Sequence, residues 1–80
     1  MKARVTVTLK NGVLDPQGQA IEGALGSLGF TGIGAVRQGK VFDIELTDCN
    51  KDTALNLLND MCEKLLANTV IEDYTVSITG

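Results

Sequence analysis

Lys10-Asn-Gly-Val-Leu-Asp-Pro-Gln-Gly18 closes a strand and opens a helix, and the rest of the fold reads outward from it. Ahead of it, Ala3, Val5, Val7 and Leu9 alternate with Lys2, Arg4, Thr6, Thr8 and Lys10, the period of a half-buried strand. Asn11-Gly12 breaks that run. Asp15-Pro16 starts the helix: the carboxylate can accept from an early backbone N–H, and proline loses nothing at the first helical position. Behind it, Ala20, Ile21, Ala24, Leu25 and Leu28 share one side of a helical projection, opposite Gln19, Glu22, Gly23 and Gly26. Gly29 is the expected stop. Gly23 and Gly26 each cost roughly 0.5–1 kcal/mol against alanine, so this helix depends on packing.

Residues 33–37 read as a weaker second strand. Gln38-Gly39-Lys40 then looks like a tight hairpin into residues 41–47, where Phe42, Ile44 and Leu46 alternate with Asp43 and Glu45. Asp48, Asn50 and Asp52 compete to cap a second helix. Along it, Ala54, Leu55, Leu57, Leu58, Met61, Cys62, Leu65 and Leu66 occupy one half of the wheel, and Asn68 suits a left-handed stop. Ile71 leads into the last strand, where Tyr74, Val76 and Ile78 alternate with Thr75 and Ser77. The order βαββαβ, with two one-sided helices, predicts a single domain over 1–80. It is an α+β, ferredoxin-like fold: a four-stranded antiparallel sheet, first and third strands central, both helices on one face. Arg4, Thr6, Thr8, Asp43, Glu45, Thr75 and Ser77 would line the other face, open to water or to a second copy.

Eighty residues lie near the lower end of what folds without disulfides or metal, so association would help. A net charge of −3 and only three aromatics argue against a nucleic-acid partner, which wants cations and stacking platforms. No apolar run approaches the ~20 residues of a membrane span, and the N-terminus lacks a signal peptide's apolar centre, which points to the cytoplasm. Two cysteines at unrelated positions make neither a disulfide framework nor a metal motif.

There is no histidine to activate Cys49 or Cys62, and Gly32-x-Gly34 is too short to cradle a phosphate. Cys62 falls on the apolar stripe as a small core residue; Cys49 sits among polar residues with no role assigned. Asp15 with Gln17 reads as a helix cap that can double as a docking corner. Lys10, Arg37 and Lys40 are either a basic patch for an acidic partner or ordinary solvated charge at strand ends. Glu72 and Asp73, adjacent on a strand, point to opposite faces and make no acid–base pair; Tyr74 packs its ring inward with its hydroxyl at a rim.

The joint pattern resembles the PurS family, the small subunit of phosphoribosylformylglycinamidine synthase in purine biosynthesis. The likeness runs through Leu-Lys-x-Gly-Val-Leu-Asp-Pro-Gln-Gly at residues 9–18, Leu-Gly-Phe at 28–30 and Val-Arg-x-Gly-Lys at 36–40. It continues with Met-Cys-Glu-Lys-Leu-Leu-Ala-Asn at 61–68 and Val-Ile-Glu-Asp-Tyr at 70–74. Thr69 stands where relatives often have proline, and Gly23 and Gly26 where many have better helix formers. The resemblance implies a dimer, with tetramers a further step, and no active site of its own. It bridges a large synthetase subunit, which uses ATP and magnesium, and a glutaminase subunit, and it supports transfer of ammonia between them. By this analogy the partner-binding set is Lys10, Gly12, Asp15, Gln17, Arg37, Lys40, Asn68, Glu72 and Tyr74, with no cofactor bound by this chain. Two other classes compete. One is a dimeric small-molecule sensor using backbone at Gly12, Gly29 and Gly32 to Gly34. The other is an acylphosphatase-like hydrolase, which wants an arginine after the first strand where Lys10-Asn11-Gly12 has none.

Overall fold

Strand β1 (Lys2–Leu9) runs through the middle of the sheet, with β2 (Gly39–Glu45) and β3 (Glu72–Ile78) antiparallel on either side, giving the order β2-β1-β3. The computed structural model describes residues 1–47 and 50–80; Asp48, a candidate cap, and Cys49 lie outside them. Val5 stands opposite Phe42 and Val76, and Ala3 opposite Ile44 and Ile78. The alternation of β1 therefore puts one apolar face together from three strands. Ala3, Val5 and Val7 are buried there against Leu58, Cys62 and Ala67. On the opposite face, Arg4 pairs with its cross-strand partner Asp43 at 2.8 Å.

Helix α1 (Pro16–Ser27) begins on Asp15, whose carboxylate accepts from Gly18 N–H, with Pro16 at the first position. It ends in a Schellman motif: Phe30 N–H reaches Leu25 O at 3.1 Å and Gly29 N–H reaches Gly26 O at 3.1 Å. Gly29, at φ +93°, takes the left-handed position expected of it. Helix α2 (Lys51–Met61) settles its choice of caps on Asn50, whose side chain accepts from Thr53 N–H at 2.8 Å. A π-helical turn (Cys62–Leu66) then extends it, closed by Ala67 N–H on Cys62 O.

The expected α+β class with two helices is met, but the order is βαβαβ in place of βαββαβ, and several particulars are corrected. The sheet has three strands, because residues 33–37 form none. Gln38-Gly39-Lys40 does not turn. Gln38 N–H is held by Asp15, while Gly39 and Lys40 already sit in β2. Gly39 is glycine for closeness: a Cβ there would stand 2.7 Å from Val7 O in the neighbouring strand. The third strand of the expected four therefore lies at an edge, with β1 alone central.

Among the described residues, α2 and the π turn after it cover the apolar face while α1 projects from the end of the sheet, and the chain measures 50 × 26 × 15 Å. Leu65, expected on the apolar half of α2, is 83% exposed, because the wider π turn rotates it out and brings Leu66 and Ala67 in. The helix stops at Ala67 in extended conformation, so Asn68 is a turn residue beyond the helix and not its left-handed stop.

Candidate functional site

The candidate residues gather where β1 ends and β2 and β3 begin, since Leu9 faces Glu72 and Val7 faces both Lys40 and Tyr74. Asp15 is the centre of this corner. It is 6% exposed, and both its oxygens are used: Gly18 N–H donates to Oδ1 at 2.9 Å and Gln38 N–H to Oδ2 at 2.8 Å. One carboxylate thus ties the first turn of α1 to the entry of β2, across 23 residues of sequence. The bond from Gln38, then that from Gly18, holds the Asp15 carboxyl below its ordinary range, and the nearby Arg37 charge acts in the same direction.

Arg37 braces the same corner. Its guanidinium donates to Val13 O at 2.9 Å and to Lys10 O at 3.2 Å, closing the loop between β1 and α1 against the entry of β2. Gly12, at φ +86°, makes the bend in that loop. Gly18 is buried under Val36, where a Cβ would lie 2.2 Å from Val36 O. Gln17 lines an open groove of about 290 Å³ with Asp15, Gln38, Lys40 and Glu72.

On the β3 side, Glu72 accepts from Asn68 N–H at 2.7 Å and stands 3.5 Å from Lys40 Nζ. Asn68 in turn accepts from Val70 N–H at 3.2 Å, making the turn into β3. Lys10 lies 4.0 Å from Asp73 and also ties its backbone N–H to Ile71 O. Tyr74 donates its hydroxyl to Glu63 at 3.2 Å; burial, and then that bond, raises its pKa. Glu72 and Asp73 do face opposite ways, with side chains 13% and 68% exposed.

All nine candidate residues are therefore brought to one end of the molecule. The three cations there do not form a free basic patch. Lys10 and Lys40 each face a carboxylate, and Arg37 is spent on backbone carbonyls. Sequence reasoning missed Gly18, Gln38 and Gly39. Gln38 acts through its backbone N–H, which no side-chain pattern reveals, and Gly39 was legible only as a turn. Cys62 is fully buried, and burial, followed by the Glu63 charge, raises its thiol pKa. Among the described residues no group of three metal-ligating side chains converges, and no helix is long and apolar enough to cross a membrane.

By class this is a small α+β chain whose polar groups at this end are spent on bracing a corner. The particular family follows from comparison. Residues 2–80 match the PurS family, described as phosphoribosylformylglycinamidine (FGAM) synthase, and the chain belongs to that family. It is 55% identical over 76 residues to the phosphoribosylformylglycinamidine synthase subunit PurS of Mycobacterium leprae, covering 95% of this chain and 92% of that one. The structure of PurS from Bacillus subtilis superposes with a TM-score of 0.87 at 44% identity, covering 99% of this chain and 98% of that chain. A chain in the structure of PurLQS from Thermotoga maritima matches with a TM-score of 0.86 at 33% identity, covering 95% and 93%.

Proposed function

We propose that this chain is the small, noncatalytic subunit of phosphoribosylformylglycinamidine synthase, acting in purine biosynthesis in the cytoplasm. The observation that carries the reading is the match over residues 2–80 to the PurS family, supported by the likeness to a chain of the Thermotoga maritima PurLQS structure. In this reading the chain works as a dimer. It bridges a synthetase subunit, which binds ATP and magnesium, and a glutaminase subunit, and it supports passage of ammonia from one to the other. The braced corner around Asp15 and Arg37 is the docking feature: it fixes the loop of residues 10–15 and the exposed start of α1 in one rigid shape, so a partner meets a surface that needs no ordering.

The test is assembly. Gel filtration of this chain with the two larger subunits, with glutamine and nucleotide present, should give a single three-component peak. Continued elution of the chain by itself would remove the reading.

A further inference from the structure

We propose that Asn11 is a modification site: its side-chain amide is lost to attack by the Gly12 nitrogen, leaving aspartate or isoaspartate at the tip of the turn that Arg37 braces. The consequence for docking rests on the reading above, in which that braced corner meets a partner; the chemistry does not.

The turn holds its ends and leaves its tip free. Val13 N–H donates to Lys10 O at 3.2 Å, so Asn11 and Gly12 are the two central residues of a β-turn. The Arg37 guanidinium grips the same two end residues, through Val13 O at 2.9 Å and Lys10 O at 3.2 Å. Asn11 and Gly12 are both exposed. Among the described residues nothing accepts from Gly12 N–H or bonds the Asn11 side chain, and nothing lies within 4 Å of a Cβ at Gly12.

Among the described residues no other amide is so placed. Three amides precede a glycine: Asn11, Gln17 and Gln38. Gly18 N–H is taken by Asp15 at 2.9 Å, and Gly39 is fixed in β2 opposite Thr8. Of the other four asparagines, Asn50 and Asn68 use their side-chain oxygens on the N–H groups of Thr53 and Val70, and Asn56 and Asn59 lie inside α2. Each of these four is also followed by a residue with a Cβ, which crowds the approach of its nitrogen.

The Gly12 nitrogen, giving up its proton, attacks Asn11 Cγ; the new C–N bond closes a succinimide ring, and the side-chain nitrogen leaves as ammonia. The Arg37 charge beside the turn favours the negative charge that develops on the attacked oxygen. Water then opens the ring. Opening at the side-chain carbonyl gives aspartate; opening at the main-chain carbonyl gives isoaspartate, whose main chain runs through the former side-chain methylene. Either product adds one negative unit to the net charge of −3. Isoaspartate also lengthens the turn by one main-chain atom, so Lys10 O and Val13 O leave the spacing that one guanidinium spans.

The test ages the full chain in heavy-oxygen water at physiological temperature and mildly alkaline pH, then applies isoelectric focusing and peptide mass mapping. An acid-shifted species is expected, with heavy oxygen in the peptide carrying residue 11 and none in those carrying Asn50, Asn56, Asn59 or Asn68. Asn11→Gln should stay unshifted. Absence of heavy oxygen from residue 11, or earlier uptake at another asparagine, overturns the proposal. The purified isoaspartate form is then mixed with the two larger subunits, beside unaged protein and Asn11→Asp, which carries the charge without the longer turn. It should dock roughly tenfold more weakly than either. Equal docking by the isoaspartate form overturns its release of the corner, whereas failure of the unaged protein to dock removes the subunit reading and leaves the chemistry at Asn11 standing.

Discussion

Gly18→Ala is the substitution that most sharply tests the braced corner. A Cβ at this position would stand 2.2 Å from Val36 O and 2.9 Å from an Asp15 carboxylate oxygen, whereas ordinary contact begins at 3.4 Å. Backbone, not a flexible side-chain end, is the first obstacle. Either the first turn of α1 or the strand entry at Val36 must therefore retreat by roughly 1 Å, and with it the carboxylate that joins Gly18 to Gln38. Overpacking of this kind costs about 1–3 kcal/mol. For a chain this short each kcal/mol moves the melting midpoint by about 4–8 °C, so a fall of roughly 8–16 °C is expected for a 2 kcal/mol loss. Gly23→Ala is the matched control. Nothing lies within 4 Å of a Cβ there, so the better helix former should stabilise by about 0.5–1 kcal/mol. Both variants and the parent are melted at one protein concentration, because any self-association makes a midpoint concentration-dependent. A Gly18→Ala protein as stable as the parent would refute the close approach on which the corner depends.

Other consequences are open to measurement. Leu58, fully buried between α2 and the sheet, should cost about 2–5 kcal/mol on truncation to alanine, read as a lower denaturant midpoint at unchanged slope. In a Cys49→Ser background Cys62 should resist a thiol reagent in the native state and react fully in denaturant; rapid native labelling would contradict its burial. The Asp15 carboxyl has its native pKa lowered from 3.8, so its contribution is complete above that value and is lost as pH falls through the lower native one. Asp15→Asn should accordingly flatten the acid limb of the stability profile below about pH 4, and an unaltered limb would show that the carboxylate's bonds carry no stability.

Much of the fold is written locally. The period-two run from Lys2 to Leu9, the Asp15-Pro16 start and the Gly29 stop each follow from the side chains present, and each forms as expected; among the caps the sequence left open for α2, the structure selects Asn50. What failed depended on contacts far along the chain. Gly39 fits a hairpin turn and a crowded strand equally well, and only Val7, 32 residues earlier in the numbering, decides between them. Leu65 follows the helical period until the π turn beginning at Cys62 shifts the register. The one-sidedness of α1 was legible; what that side meets was not, because an apolar stripe is the same whether its partner is the chain's own sheet or another's. At the candidate site, Asp15 was legible as a cap. Its second bond, to a backbone N–H at Gln38, leaves no trace in side-chain chemistry.

The most direct measurement is synthesis of the amidine product by the synthetase and glutaminase subunits, with and without this chain, supplied in parallel with glutamine or with free ammonia. The account predicts that omitting the chain abolishes the glutamine-dependent rate and spares the ammonia-dependent one. Survival of both rates without it would contradict the claim that it couples the two subunits.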